Sequence, residues 1–182
     1  MYAIAVEPQI MKRLYLLRHA KSSWSEADLA DFDRPLNERG LHTAPFMGRL
    51  IRARELVPDL IVSSPARRGR ETAELVRENI SADVEIQFND TVYEASPHTL
   101  MHVVANFDER IKSAMLVGHN PGMEGLVRLL TGRNETMPTA ALAVIGLNID
   151  GWKTVAAGSG TLIEVIRPKE QANFDVPPGR NI

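Results

Sequence analysis

The amino-acid sequence predicts an α/β fold, a three-layer α/β/α sandwich around a mostly parallel central sheet. Two observations carry this. Short apolar runs of strand length alternate with longer segments of helical periodicity, the pattern of strand–helix–strand units. Towards the end the helices stop, and closely spaced strand candidates follow with Asp150-Gly151 and Gly158-Ser159-Gly160 as turns. At 182 residues the chain is of single-domain size and long enough to bury one core.

The elements follow in order. Lys12–Leu17 is a short buried strand, and the loop after it carries Trp24 and the turn-like Asp33-Arg34-Pro35. Asn37 is the N-cap of a helix to about Glu55, with apolar positions at Leu41, Ala44, Met47, Leu50 and Ile51; Pro45 within it predicts a short first turn or a kink. Leu60–Val62 is a second buried strand. Ser63-Ser64-Pro65 ends it and opens a helix to about Ile80, proline being tolerated in a first turn. Val84–Phe88 alternates as a strand, Pro97–Asn106 is a helix, and Ala114–Val117 is a fourth strand. Gly118–Gly122 breaks that strand into a helix ending near Leu130. Ala141–Leu147, Trp152–Ala157 and Thr161–Ile166 are three further strands. The domain is expected over 12–166, with residues 1–11 as an N-terminal extension and 167–182, which hold three prolines, as a loose C-terminal tail. Met11 directly precedes the first strand and is a candidate translation start.

Composition excludes several classes. The chain has no cysteine, so disulfides, iron–sulfur clusters, cysteine zinc sites and thiol nucleophiles are ruled out; a reducing, cytoplasmic setting is expected. Net charge is −2 and aromatic residues are 5% of the chain, which argues against a nucleic-acid or membrane-surface protein. No apolar run is long enough for a membrane span, and the first eleven residues lack the basic and apolar regions of a secretory signal. Arginine outnumbers lysine 16 to 5, and guanidinium suits bidentate binding of oxyanions.

In a parallel sheet, ligands bind at the carboxyl ends of the strands. Three such ends are Arg18-His19-Ala20-Lys21-Ser22, Ser64-Pro65-Ala66-Arg67-Arg68 and Gly118-His119-Asn120-Pro121-Gly122. Brought together, they hold two imidazoles and at least two guanidiniums. Arginines clamp phosphoryl oxygens and stabilise spreading charge. A neutral imidazole attacks phosphorus to give a phosphohistidine that water hydrolyses. Neighbouring guanidiniums favour that neutral form. Helix N-termini after Ser64 and Pro121 add backbone N–H groups.

The stretches LLRHAKSSW, SSPARRGRETA and VGHNPG, together with DRPLNERG at Asp33–Gly40, resemble the histidine phosphatase (phosphoglycerate-mutase-like) superfamily, and within it the SixA-type phosphohistidine phosphatases. The resemblance runs from about Lys12 to Ile166. It implies Arg18 as the first phosphate-binding arginine, His19 as the phosphorylated nucleophile and His119 as the second histidine of the pocket. The family's second motif is serine, three residues, then arginine, so the resemblance, counted from Ser64, implies Arg68 rather than Arg67 as the second clamp. Ser22 matches a phosphate-binding Ser/Thr three residues after the nucleophile. Ser25 stands where the mutase branch has asparagine, which points away from a glycerate- or sugar-phosphate substrate. Glu94, in VYEAS, lies in the region of the family's proton donor.

The resemblance also implies a phosphohydrolase without metal or other cofactor. Its partner is a phosphohistidine protein, such as a phosphotransfer domain of a signalling relay, or else a small phosphomonoester. The span from Phe88 to Ala114 leaves no room for a covering insertion, so an open pocket suited to a protein side chain is expected. The alternatives are a small-molecule phosphatase or mutase on the same scaffold, and a non-catalytic phosphate-binding adaptor. His42, the pair His98/His102 and the clusters Arg49/Arg52/Arg54 and Arg67/Arg70 are expected to be surface residues.

Overall fold

The computed structural model describes residues 12–25, 28–81, 83–172 and 174. The proposed extension 1–11 with its candidate start at Met11, and the tail from residue 175 onward, lie outside the described residues.

Among the described residues six strands form one sheet: β1 (Lys12–Arg18), β2 (Leu60–Ser63), β3 (Glu85–Phe88), β4 (Ser113–Gly118), β5 (Leu142–Leu147) and β6 (Gly160–Ile166), in the order β3-β2-β4-β1-β5-β6. The pairs β3–β2, β2–β4 and β4–β1 are parallel, and β5 runs antiparallel to both its neighbours. The described helices α1 (Glu38–Ala53), α2 (Arg67–Ile80), α3 (Pro97–Ala105) and α4 (Gly122–Thr131) cover the two faces.

Alternation along β1 builds both cores. Leu14 and Leu16 point to the side of α3 and α4, where they meet Leu100, Val104, Leu126 and Leu130. Tyr15 and Leu17 point to the other side, against Ala44, Met47 and Ile51 of α1 and Ala73 and Val76 of α2. A strand buried on both faces needs an unbroken apolar run, which is why the central strands read as LYLL, LIV and AMLV. Burying each such leucine fully is worth roughly 1.5–3 kcal/mol.

Local signals set the helix ends. Asn37 caps α1 by accepting from the Gly40 amide at 2.9 Å, and Ser96 caps α3 by accepting from Thr99. Gly132, at φ +70°, closes α4 in the left-handed conformation. Helix α1 continues through Pro45; the carbonyl left without an amide partner belongs to Leu41, whose side chain is exposed.

Two expectations need correction. Trp152–Ala157 is not a strand: Trp152–Thr154 is a single 3-10 turn and Trp152 is fully buried. Its amides are taken by a distant carboxylate, Trp152 and Lys153 N–H donating to Glu109, while the indole Nε1 donates to the Ile111 carbonyl. Strand β6 therefore pairs directly with β5. The start of the expected tail is docked rather than loose. Arg167 donates to Glu135 and to the Thr136 carbonyl, Pro168 is buried, and the Phe174 ring packs on Phe46. Among the described residues no helix is long and apolar enough to cross a membrane.

Candidate active site

Strand register fixes what meets at the carboxyl edge of the sheet. Arg18 lies opposite Gly118, and Ser63 lies opposite Val117, so the residues that follow emerge side by side in the order Ser64, His119, His19. Backbone bonds hold this alignment: the His19 amide donates to Gly118 and the Ser64 amide to Val117, each at 3.0 Å. The His19 and His119 ring centroids are 4.9 Å apart. Both rings, Ser22 and Arg68 are more than nine-tenths buried.

The His19 turn is held from two sides. The Ala20 amide donates to Thr72 of α2, whose hydroxyl in turn donates to the Arg68 carbonyl at 2.6 Å. The Ala140 amide donates to the carbonyls of Arg18 and His19, with Ala140 itself left-handed at φ +62°. At the entry of α1, the Asn37 amide donates to the Lys21 carbonyl. A Cβ on Gly40 would lie only 2.2 Å from that same oxygen, so α1 approaches the turn at a distance that only glycine permits.

His19 Nδ1 lies 2.7 Å from the Ala20 carbonyl, an acceptor only, so Nδ1 carries the proton and Nε2 is left with its lone pair. Burial, helped by His119, Arg68 and Arg18 and opposed by the Ala20 bond, pushes the imidazole down to about 3. Burial and the two guanidiniums push His119 down to about 4 against the pull of Asp31. Both rings are therefore neutral at pH 7.

His119 Nε2 is 2.8 Å from the Ser64 hydroxyl, while its Nδ1 is buried with no hydrogen-bond partner. Arg18 donates through Nη1 to the Met137 carbonyl, and its buried Nε is likewise unpartnered. Unpartnered buried polar atoms are rare and call for a reason. Arg18 Nε is a donor, and His119 Nδ1 is one when the Ser64 hydroxyl donates to Nε2; a tetrahedral oxyanion would satisfy both.

Arg68 is buried in the first turn of α2, whereas Arg67 faces solvent and pairs with Glu71. Arg68 donates through both terminal nitrogens to Asp31: Nη2 reaches Oδ2 at 2.8 Å, and Nη1 reaches the backbone carbonyl. Tyr93 also donates to Asp31 Oδ2 at 2.8 Å and sets its ring edge-on to His119. Arg34 donates to Asp31 Oδ1 at 2.7 Å and to the Ser22 hydroxyl at 2.6 Å. Trp24, 74% exposed, lies against the Arg34 guanidinium.

Sequence reasoning missed Asp31, Arg34 and Tyr93. The stretch DRPLNERG pointed to this segment, but only contacts distant in sequence put Asp31 on Arg68 and Tyr93. Glu94 is exposed, at φ +48°, and among the described residues joins none of the pocket's hydrogen bonds or ion pairs. His42, His98 and His102 are on the surface. Among the described residues no group of three His, Asp or Glu side chains is placed to hold a metal ion.

The histidine phosphatase superfamily (branch 1) matches residues 14–100. An uncharacterised chloroplast protein of Arabidopsis thaliana is 30% identical over 169 residues, 87% of this chain and 77% of its own. The structure of a provisionally assigned phosphohistidine phosphatase SixA from Agrobacterium tumefaciens is 34% identical with a TM-score of 0.75, covering 86% of this chain and 98% of that one. A protein histidine phosphatase SixA complexed with tungstate shares the fold, with a TM-score of 0.75 at 20% identity over 86% of this chain and 97% of its own. Family match, fold and relatives agree: the chain belongs to the histidine phosphatase superfamily, in its SixA-type branch.

Proposed function

We propose that this protein removes the phosphoryl group from phosphohistidine on another protein, through a phosphohistidine intermediate at His19 and without a metal ion. The observation that carries the reading is the His19 Nδ1 bond to the Ala20 carbonyl, which aims an unprotonated Nε2 outward from a buried, neutral ring. Nε2 attacks phosphorus, the bond to the leaving group breaks, and water then hydrolyses the N–P bond formed. Arg18, Arg68 and His119 hold the phosphoryl oxygens and Ser22 adds its hydroxyl. Fixed donors of this kind stabilise charge that grows in the transition state.

Two features favour a protein phosphohistidine over a phosphate ester. Among the described residues no carboxylic acid stands ready to protonate an alkoxide: Asp31 is held at about 2, and Glu94 is exposed outside the network. The span between β3 and β4 holds only a 3-10 turn and α3, so this span adds no covering insertion to the site. A cytoplasmic phosphotransfer domain fits this reading.

The test is phosphate release, with EDTA present, from a phosphohistidine protein and from a panel of small phosphomonoesters. Wild type should release phosphate chiefly from the phosphoprotein, and His19→Ala should abolish turnover. Near wild-type activity in His19→Ala would overturn the mechanism; release mainly from an ester would move the substrate.

A further inference from the structure

We propose that Asp31 determines leaving-group specificity: its carboxylate, at the mouth of the phosphoryl pocket, favours a phosphorylated imidazole over a phosphate ester. This rests on the reading just given and goes one residue further. Asp31 heads a 3-10 turn (Asp31–Asp33), and donors from three separate elements meet on it: Arg68 from α2, Arg34 from the turn's end, and Tyr93 from the loop before α3. Its side chain is 42% exposed where that of Arg68 beneath it is 7% exposed. The carboxylate thus stands between the phosphate clamp and solvent. In-line displacement places the leaving group opposite the nucleophile. With His19 at the buried end, the leaving group departs on the solvent side, where Asp31 stands.

The two leaving groups respond to a carboxylate in opposite ways. When an ester is cleaved, the P–O electron pair goes to oxygen, and the growing negative charge is repelled by Asp31 unless a proton arrives from elsewhere. When a phosphorylated imidazole is cleaved, His19 Nε2 bonds to phosphorus and the P–N electron pair goes to the ring nitrogen. If the second ring nitrogen carries a proton, the ring departs neutral and needs nothing from the enzyme. A nearby carboxylate stabilises that proton by Coulomb attraction. Burial alone would push Asp31 up, but hydrogen bonds from Tyr93, Arg68 and Arg34 outweigh it and keep the group ionised.

The experiment compares kcat/KM for a phosphohistidine protein with that for p-nitrophenyl phosphate, in wild type and Asp31→Asn. Asn keeps the size and one oxygen acceptor but removes the charge. The phosphohistidine value should fall at least about tenfold more than the ester value, and the ester value should hold or rise. Equal losses on both substrates would mean that Asp31 merely anchors Arg68, and would overturn the proposal. Tyr93→Phe removes a donor but leaves the carboxylate, so it should keep the substrate ratio within about threefold. Asp31→Glu keeps the charge and should hold the substrate ratio within about threefold of wild type; a ratio that falls as far as in Asp31→Asn would overturn the proposal. Failure of wild type to release phosphate from any phosphohistidine protein would instead defeat the preceding reading, so the two failures are distinguishable.

Discussion

Lowering the pH from 7 to 5 should destabilise this protein, and His19 should account for a measurable share. In the unfolded chain an imidazole titrates near 6.5, whereas His19 in the fold is pushed down to about 3. Between those values the unfolded chain takes up a proton that the fold refuses. The stabilising contribution is therefore complete above pH 6.5, shrinks as pH falls, and stops shrinking below about 3. From pH 7 to 5, one such group costs about 2 kcal/mol. His119, pushed down to about 4, adds a similar amount over the same range. Other groups titrate as well, so the informative quantity is a double difference. Urea unfolding of wild type and His19→Gln at both pH values gives it. Wild type should lose about 2 kcal/mol more than the variant. Losses equal within about 0.5 kcal/mol would show that the His19 ring is not held neutral by the fold, and the argument for a pre-formed nucleophile would fail with it.

Two further outcomes follow from close contacts. Gly40→Ala forces a Cβ against the Lys21 carbonyl, two residues after His19, and Leu36 Cβ at 3.2 Å blocks sideways relief. Overpacking should cost about 1–3 kcal/mol and lower the thermal midpoint by roughly 2–12 °C, with a loss of kcat in protein that is still folded; an unchanged midpoint by calorimetry would refute the contact. Ser64→Ala removes the fully buried partner of His119 Nε2, which should cost about 1–3 kcal/mol and lower kcat about tenfold, read by urea unfolding and steady-state rates. Full stability and rate in that variant would mean that Ser64 does not fix the ring.

The sequence announced those parts of the site that sit at strand ends. Arg18-His19, Ser64 and Gly118-His119 each follow an apolar run, and a parallel sheet aligns such ends by construction. Arg68 was reachable by counting from Ser64 in the spacing of the family's second motif. Asp31 was not: it lies 37 residues from Arg68 and 62 from Tyr93, in a loop with no periodicity. Trp152–Ala157 misled for a similar reason. Its apolar spacing suits a strand, but the amides that a strand would pair across the sheet are claimed by Glu109, about 43 residues away. Local pattern reports which face of an element is buried; it does not report which distant side chain competes for its backbone.

The reversal of β5 within an otherwise co-directional set has a consequence for how this site tolerates change. Because β5 enters the sheet beside the carboxyl end of β1, the chain leading into it must cross the pocket, and there it offers Arg18 the Met137 carbonyl at 2.8 Å and ties Ala140 to the His19 turn. Both contacts come from the main chain: any residue supplies the carbonyl at 137, and any but proline the N–H at 140. Side chains at Met137 and Ala140 answer to packing, since both are buried, but the two contacts themselves depend on spacing, and a one-residue insertion or deletion would displace the carbonyl altogether. The grip on Arg18 and the His19 turn is written in chain length.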